Sequence, residues 1–206
     1  MTDPTTVYSR RFDSYLREIA KRLETHVAEL LHDVARIDRI AVRAKHPESF
    51  AKKASKNNKD GTPKYANPLA EIQDQIGARI IVFYKQDVES VTEIIRKYFQ
   101  PIEAKDLIPE SQWEFGYFGR HFVMPLPMDV VPKEIDAKDA PRFFELQIKT
   151  LFQHAWSEAE HDLGYKSKGP LANEDQRLLA FAASQGWGAD RAFAELHERQ
   201  SKKATA

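Results

Sequence analysis

Glu145 to Lys166 reads ELQIKTLFQHAWSEAEHDLGYK, a strand that runs straight into a helix. The aromatic and β-branched content of Phe143 to Ile148 favours an extended chain, and its alternation puts Glu145 and Gln147 on one face. From Thr150 the spacing becomes helical. Steps of four and seven stack His154, Glu158 and His161 along one stripe beside Leu151, Ala155 and Trp156. That stripe is either a site or a hydrogen-bonding network.

Upstream of this junction, Ala78 to Tyr84 is apolar and β-branched, as in a strand covered on both faces, and Asp87 to Phe99 has a helical period. Tyr8 to Val34 carries Phe12, Leu16, Ile19, Leu23, Val27, Leu30 and Leu31 at three- and four-residue steps, which predicts an amphipathic helix. Asp38 to Lys45 is a short strand candidate. Pro47-Glu48-Ser49 opens a helix that breaks near Asn57, and Lys56 to Pro68 reads as an exposed loop. The pattern is lost from Gln100 to Glu114. Two further strands are expected over Tyr117 to Leu126 and Arg142 to Lys149, then a helix over Leu178 to His197 broken where Gly186 and Gly188 flank Trp187. No internal repeat is present. Strands between helices, with a helix at each end, predict an α/β or α+β domain with a mixed sheet.

The chain has 206 residues, enough for one substantial core, so a single domain over 1–206 is expected. Its 31 basic and 31 acidic residues cancel, so no global field argues for bulk nucleic acid or an anionic membrane. The absence of cysteine excludes disulfides, thiol catalysis and Cys-ligated zinc. The N-terminus lacks a basic start followed by an apolar run, and no stretch approaches the ~20 apolar residues that span a bilayer. A soluble cytoplasmic protein without membrane attachment is expected.

Chemistry concentrates in a few places. Arg43, Lys45, Lys52, Lys53, Lys56, Lys59 and Lys64 face only Glu48 and Asp60 within their segment. On a helix starting at Pro47, Ser49, Lys52, Lys53 and Lys56 fall within two turns near a positive helix terminus. They form either a polyphosphate cradle or a solvated lysine face. Asp74 and Arg79 bracket Gly77 at the entrance of the apolar strand. Asp74 is either a magnesium ligand, with Glu145 completing a carboxylate pair, or a turn cap paired with Arg79. Gly116-Tyr117-Phe118-Gly119-Arg120-His121 puts glycines around aromatics, leaving Tyr117 either free to stack on a planar base or packed in a hairpin. The histidines lack the spacing of HExxH. His161-Asp162 is an HD dipeptide without the further histidines and aspartates a hydrolase of that type needs.

Four segments in order, RAKHPESFAKK, DQIGARIIV, FGYFGRHFV and ELQIKT with HAWSEAEHDLGYK, resemble the RelA/SpoT-type alarmone synthetase domain. The resemblance runs from about Arg43 to Lys166, and puts the domain core at about 36–168. It implies an α+β fold related to the nucleotidyltransferases, a mixed β-sheet flanked by helices. The activity implied is transfer of pyrophosphate from ATP to the ribose 3′-hydroxyl of GDP or GTP, giving (p)ppGpp and AMP. By position, Arg43 and Arg79 resemble the arginines that sandwich adenine, and Lys45, Ser49, Lys53 and Lys56 the contacts to the donor phosphates. Asp74 and Glu145 resemble the Mg2+-binding and catalytic acids, with Glu145 placed to help deprotonate the acceptor hydroxyl. Tyr117 resembles the tyrosine that stacks on guanine, while His121, Gln147 and His154 lie where the family contacts the acceptor nucleotide.

The acceptor loop departs from the family pattern, since Trp113-Glu114-Phe115 precedes the glycine-tyrosine and Phe118-Gly119 follows it. This leaves open a toxic relative's acceptors, transfer RNA 3′ ends or adenine nucleotides. A catalytically silent nucleotide- or RNA-binding regulator is the alternative of another class. The resemblance is to a small stand-alone synthetase without a hydrolase, of a kind that often forms homo-oligomers.

Overall fold

The computed structural model describes residues 3–106, 116–117, 119–166 and 171–204. The first helix, α1 (Pro4–Arg11), begins earlier than its apolar pattern because Asp3 caps it, its carboxylate accepting from the Thr6 amide at 3.1 Å. A π-helical turn over Phe12–Leu16 leads into α2 (Arg17–Leu30), which buries Ile19, Ala20, Leu23 and Val27. Then follow β1 (Ile37–Ala44), α3 (Pro47–Ala54), the short α4 (Pro68–Glu71), β2 (Ile76–Val82) and α5 (Lys85–Tyr98). The remaining elements are β3 (Glu103–Asp106), β4 (Arg120–Pro125), β5 (Phe143–Thr150), α6 (Leu151–Lys166) and α7 (Asn173–Ala204).

The five strands form one mixed sheet in the order β1-β2-β5-β4-β3, so the expected α+β architecture with a mixed sheet is observed. Among the described residues, only β2 and β5 run parallel; the other pairs are antiparallel. Alternation assigns the faces. Ala78, Ile80, Leu146, Ile148, Phe122 and Met124 are buried in the core with Leu23, Val27, Val91 and Ile95. Register places Arg79, Gln147 and His121 side by side on the other face, and Arg43, Gly77 and Glu145 in the neighbouring row.

Three expectations are corrected. Phe83 and Tyr84 lie beyond β2, whose buried run ends at Val82; Phe83 is exposed, and the Tyr84 amide donates to Asp87 where α5 begins. The segment that loses its pattern contains β3, an edge strand of polar residues held by pairing with β4. Residues 107–115 of that segment, and Phe118, lie outside the described residues. Finally, α7 continues through Gly186 and Gly188 without a break.

Candidate active site

A turn of 3₁₀ helix over Gln73–Gln75 delivers Asp74 to the head of β2. Its Oδ2 accepts from two lysines, Lys45 just past β1 at 2.8 Å and Lys53 in the last turn of α3 at 2.9 Å. Burial pushes the Asp74 carboxyl up, but the hydrogen bonds and charges of Lys45 and Lys53 outweigh it and hold the group below its ordinary 3.8. Oδ1 is buried and has no hydrogen-bond partner among the described residues. The alternative pairing of Asp74 with Arg79 is not formed. Arg79 instead meets Glu158 of α6 at 2.6 Å.

Glu145, on β5, accepts from His121 Nδ1 at 3.2 Å. Burial raises the Glu145 carboxyl and the His121 hydrogen bond lowers it, with a net shift below the ordinary value. Asp74, Glu145, Lys53 and His121 all line one cavity of about 310 Å³, to which Tyr65 and Glu103 also contribute. The structure therefore brings together the two acids expected to form a pair. Their chemistry fits a magnesium ion, which takes one or two carboxylates and completes its shell with water and phosphate oxygens. The unpartnered Oδ1 of Asp74 is the atom available for it. Arg43, Ser49 and Lys56 are exposed and are not among the lining residues.

Gln147 Oε1, His121 Nε2 and His154 Nδ1 are buried without hydrogen-bond partners among the described residues. Buried polar atoms are normally satisfied, so these three are atoms that a polar ligand could satisfy. Burial also lowers the pKa of His154, which keeps its ring neutral at pH 7. Of the two alternatives for Tyr117, the structure shows the ring packed. It is 5% exposed, and its hydroxyl donates to Asp190 of α7. A base can meet its face only if the ring leaves this position.

Sequence reasoning missed three features. Thr150 and Gln153 cap α6 reciprocally, the Thr150 amide donating to Gln153 Oε1 at 2.9 Å and the Gln153 amide to Thr150 Oγ1 at 3.1 Å. A Thr-x-x-Gln spacing was the signal for it. Asp190 had none. Lys149, 4% exposed, donates to Ser157 Oγ at 2.9 Å. Burial, with the charge of Arg79, pushes its ammonium down to about 8 from 10.5. Because the folded value is lowered, the stability linked to Lys149 is present above 10.5 and is lost as pH falls through 8. Lys149→Met is expected to raise stability at pH 7 by on the order of 1–3 kcal/mol. Urea titrations should also show a flatter stability profile between pH 8 and 10.5 than the wild type.

Gly119 permits a close approach of β4 to β5. A Cβ there would lie 2.4 Å from the Ile148 carbonyl oxygen and 2.4 Å from Lys149 Cγ. The lysine can yield, but a carbonyl fixed within a paired strand cannot. Gly119→Ala is expected to destabilise the fold by about 2 kcal/mol or more, measured by denaturant unfolding.

A family model described as a region found in RelA / SpoT proteins matches residues 42–170. GTP pyrophosphokinase YjbM of Bacillus subtilis is 31% identical over 134 residues, covering 63% of this chain and 61% of that protein. GTP pyrophosphokinase YwaC of the same organism is 25% identical over 139 residues, covering 66% and 62%. The chain thus spans less than two thirds of these curated relatives' own length. Among solved structures, small alarmone synthetase 1 from Bacillus subtilis bound to its product pppGpp superposes with a TM-score of 0.72 at 24% identity, covering 93% of this chain and 97% of that one. A GTP pyrophosphokinase family protein from Streptococcus pneumoniae gives 0.72 at 23% identity, covering 98% and 97%. At these identities the structural likeness establishes the fold.

Proposed function

This chain belongs to the RelA/SpoT family, and from that premise we propose that it is an ATP-dependent pyrophosphokinase acting on a guanosine nucleotide. It transfers the β,γ-pyrophosphate of ATP to the ribose 3′-hydroxyl of GDP or GTP, releasing AMP. The observation that carries this reading is the cavity that holds Asp74 and Glu145 with Lys53 and His121.

In the reaction, the 3′-oxygen forms a bond to the β-phosphorus as the bond between that phosphorus and the bridging oxygen to the α-phosphate breaks. AMP carries away the bridging oxygen and its electron pair. The demand on the protein is in-line positioning and neutralisation of the transferring oxygens. Lys45 and Lys53 supply fixed positive charge, with Arg43, Ser49, Lys56 and Arg79 completing the ATP side. Arg79 is braced for contact with adenine by Glu158. Asp74 and Glu145 would hold Mg2+, which supplies charge neutralisation for the phosphates. Glu145, ionised and hydrogen-bonded to His121, receives the proton of the attacking hydroxyl. Gln147, His154 and His121 Nε2 present the orphan polar atoms to the acceptor. Tyr117 contributes to this side from its buried position against α7.

The test is to incubate purified protein with γ-labelled ATP and magnesium, adding GDP, GTP, ADP or transfer RNA in turn, and to separate the products. Label on GDP or GTP is the expected outcome. Label confined to transfer RNA or an adenine nucleotide replaces the acceptor, and transfer to none of them rejects the enzymatic reading.

A further inference from the structure

Asp190 lies on α7, beyond the last residue of the family match, and is 1% exposed. A single oxygen, Oδ2, accepts from both the Tyr117 hydroxyl and the Thr150 hydroxyl. Gly186, one turn earlier on α7, makes room for the tyrosine: a Cβ there would be 3.2 Å from Tyr117 Cδ1. Gly186 and Asp190 together form a slot, one admitting the ring and the other anchoring its hydroxyl. Burying a carboxylate costs more than burying an apolar side chain of similar volume, so packing alone does not account for Asp190. The slot joins two pieces of chain. Tyr117 stands shortly before His121 on β4. Thr150 ends the strand that carries Glu145 and Gln147, and caps the helix that carries His154.

We infer that Asp190 is a positioning residue of the acceptor side, holding His121 and His154 in place around Gln147 through Tyr117 and Thr150. This rests on the assignment of those residues to the acceptor made above. Through this slot α7 is part of the acceptor machinery, although none of its residues lines the cavity that holds Asp74 and Glu145. Burial raises the Asp190 carboxyl, in keeping with a group held for its geometry.

The test uses the full chain with Asp190→Ala, the near-isosteric Asp190→Asn, Tyr117→Phe, and the Asp190→Ala/Tyr117→Phe double variant. Asp190→Ala, which removes the acceptor of both the Tyr117 and the Thr150 hydroxyls, is expected to raise KM for the guanosine nucleotide about tenfold, while KM for ATP stays within about twofold. Asp190→Asn, which keeps one carbonyl acceptor, should fall between wild type and Asp190→Ala. The double variant should be no worse than Asp190→Ala alone, because the bond that Tyr117→Phe removes is already lost in Asp190→Ala. An unchanged acceptor KM, equal rises in both KM values, or additive effects overturn the proposal. Failure of the wild type to transfer pyrophosphate rejects the function instead, and the positioning role is then decided by hydrogen exchange. Faster exchange in Asp190→Asn confined to amides 120–123 and 151–155 supports it; no change, or a change across the whole sheet, overturns it.

Discussion

Asp74→Asn is expected to fold and to lose about 10³-fold or more of kcat, with the adenine side of the site left standing. The amide keeps the shape of the side chain and one carbonyl acceptor, so either Lys45 or Lys53 retains a partner. Both lysine side chains keep contact with water, at 21% and 32% exposure, and tolerate the lost countercharge. What disappears is the negative charge that organises two ammonium groups and offers Oδ1 to a divalent cation. The ammonium groups it organises, and the cation it would hold, act on the transferring phosphoryl oxygens, so its loss falls on the transition state. Linkage gives a second readout. The Asp74 pKa is lowered on folding, so its stabilisation is present above 3.8 and is lost as pH falls through the folded value. The stability difference between wild type and variant should therefore shrink towards zero in acid. Unfolding titrations at pH 7 and below pH 3.8, beside steady-state kinetics, check both points. Wild-type turnover by the purified variant sinks the assignment of Asp74.

Glu145→Gln is expected to lower kcat by about 10²–10⁴-fold while KM for ATP changes little. Glutamine is isosteric and still hydrogen-bonds His121, so the sheet and the cavity persist. It cannot take the hydroxyl proton. Because the Glu145 carboxyl is held below its ordinary 4.5, the acid limb of the wild-type profile should lie below that value and be absent from the residual activity of the variant. A variant that keeps full kcat, or one that loses ATP affinity and kcat in parallel, assigns Glu145 to binding instead.

The junction of β5 and α6 was legible because two periods meet there, alternation up to Thr150 and helical spacing after it. The same alternation assigned Glu145 and Gln147 to one face, and register adds Arg79 and His121 to it. The charge of the lysine segment was equally plain in the composition. That Lys45 and Lys53 converge on one oxygen of Asp74 was not, since it depends on the chain turning through α3 and the Gln73–Gln75 turn. Strand β3 escaped notice because Glu-Ala-Lys-Asp has no apolar alternation, and its pairing with β4 supplies the order its sequence lacks. What Tyr117 packs against was not legible, because its partner is 73 residues away. Local pattern shows an aromatic between glycines, whereas Gly186, which looks like a helix break, is the gap into which that aromatic fits.

Positional labelling reads out whether the pyrophosphoryl group moves as a unit. Parallel reactions with GDP, magnesium and ATP labelled at either the β- or the γ-phosphate should place both labels on the acceptor in equal amounts. AMP should form in the same quantity. Transfer of the γ-label alone, with ADP as the second product, would show simple phosphoryl transfer and overturn the proposed reaction.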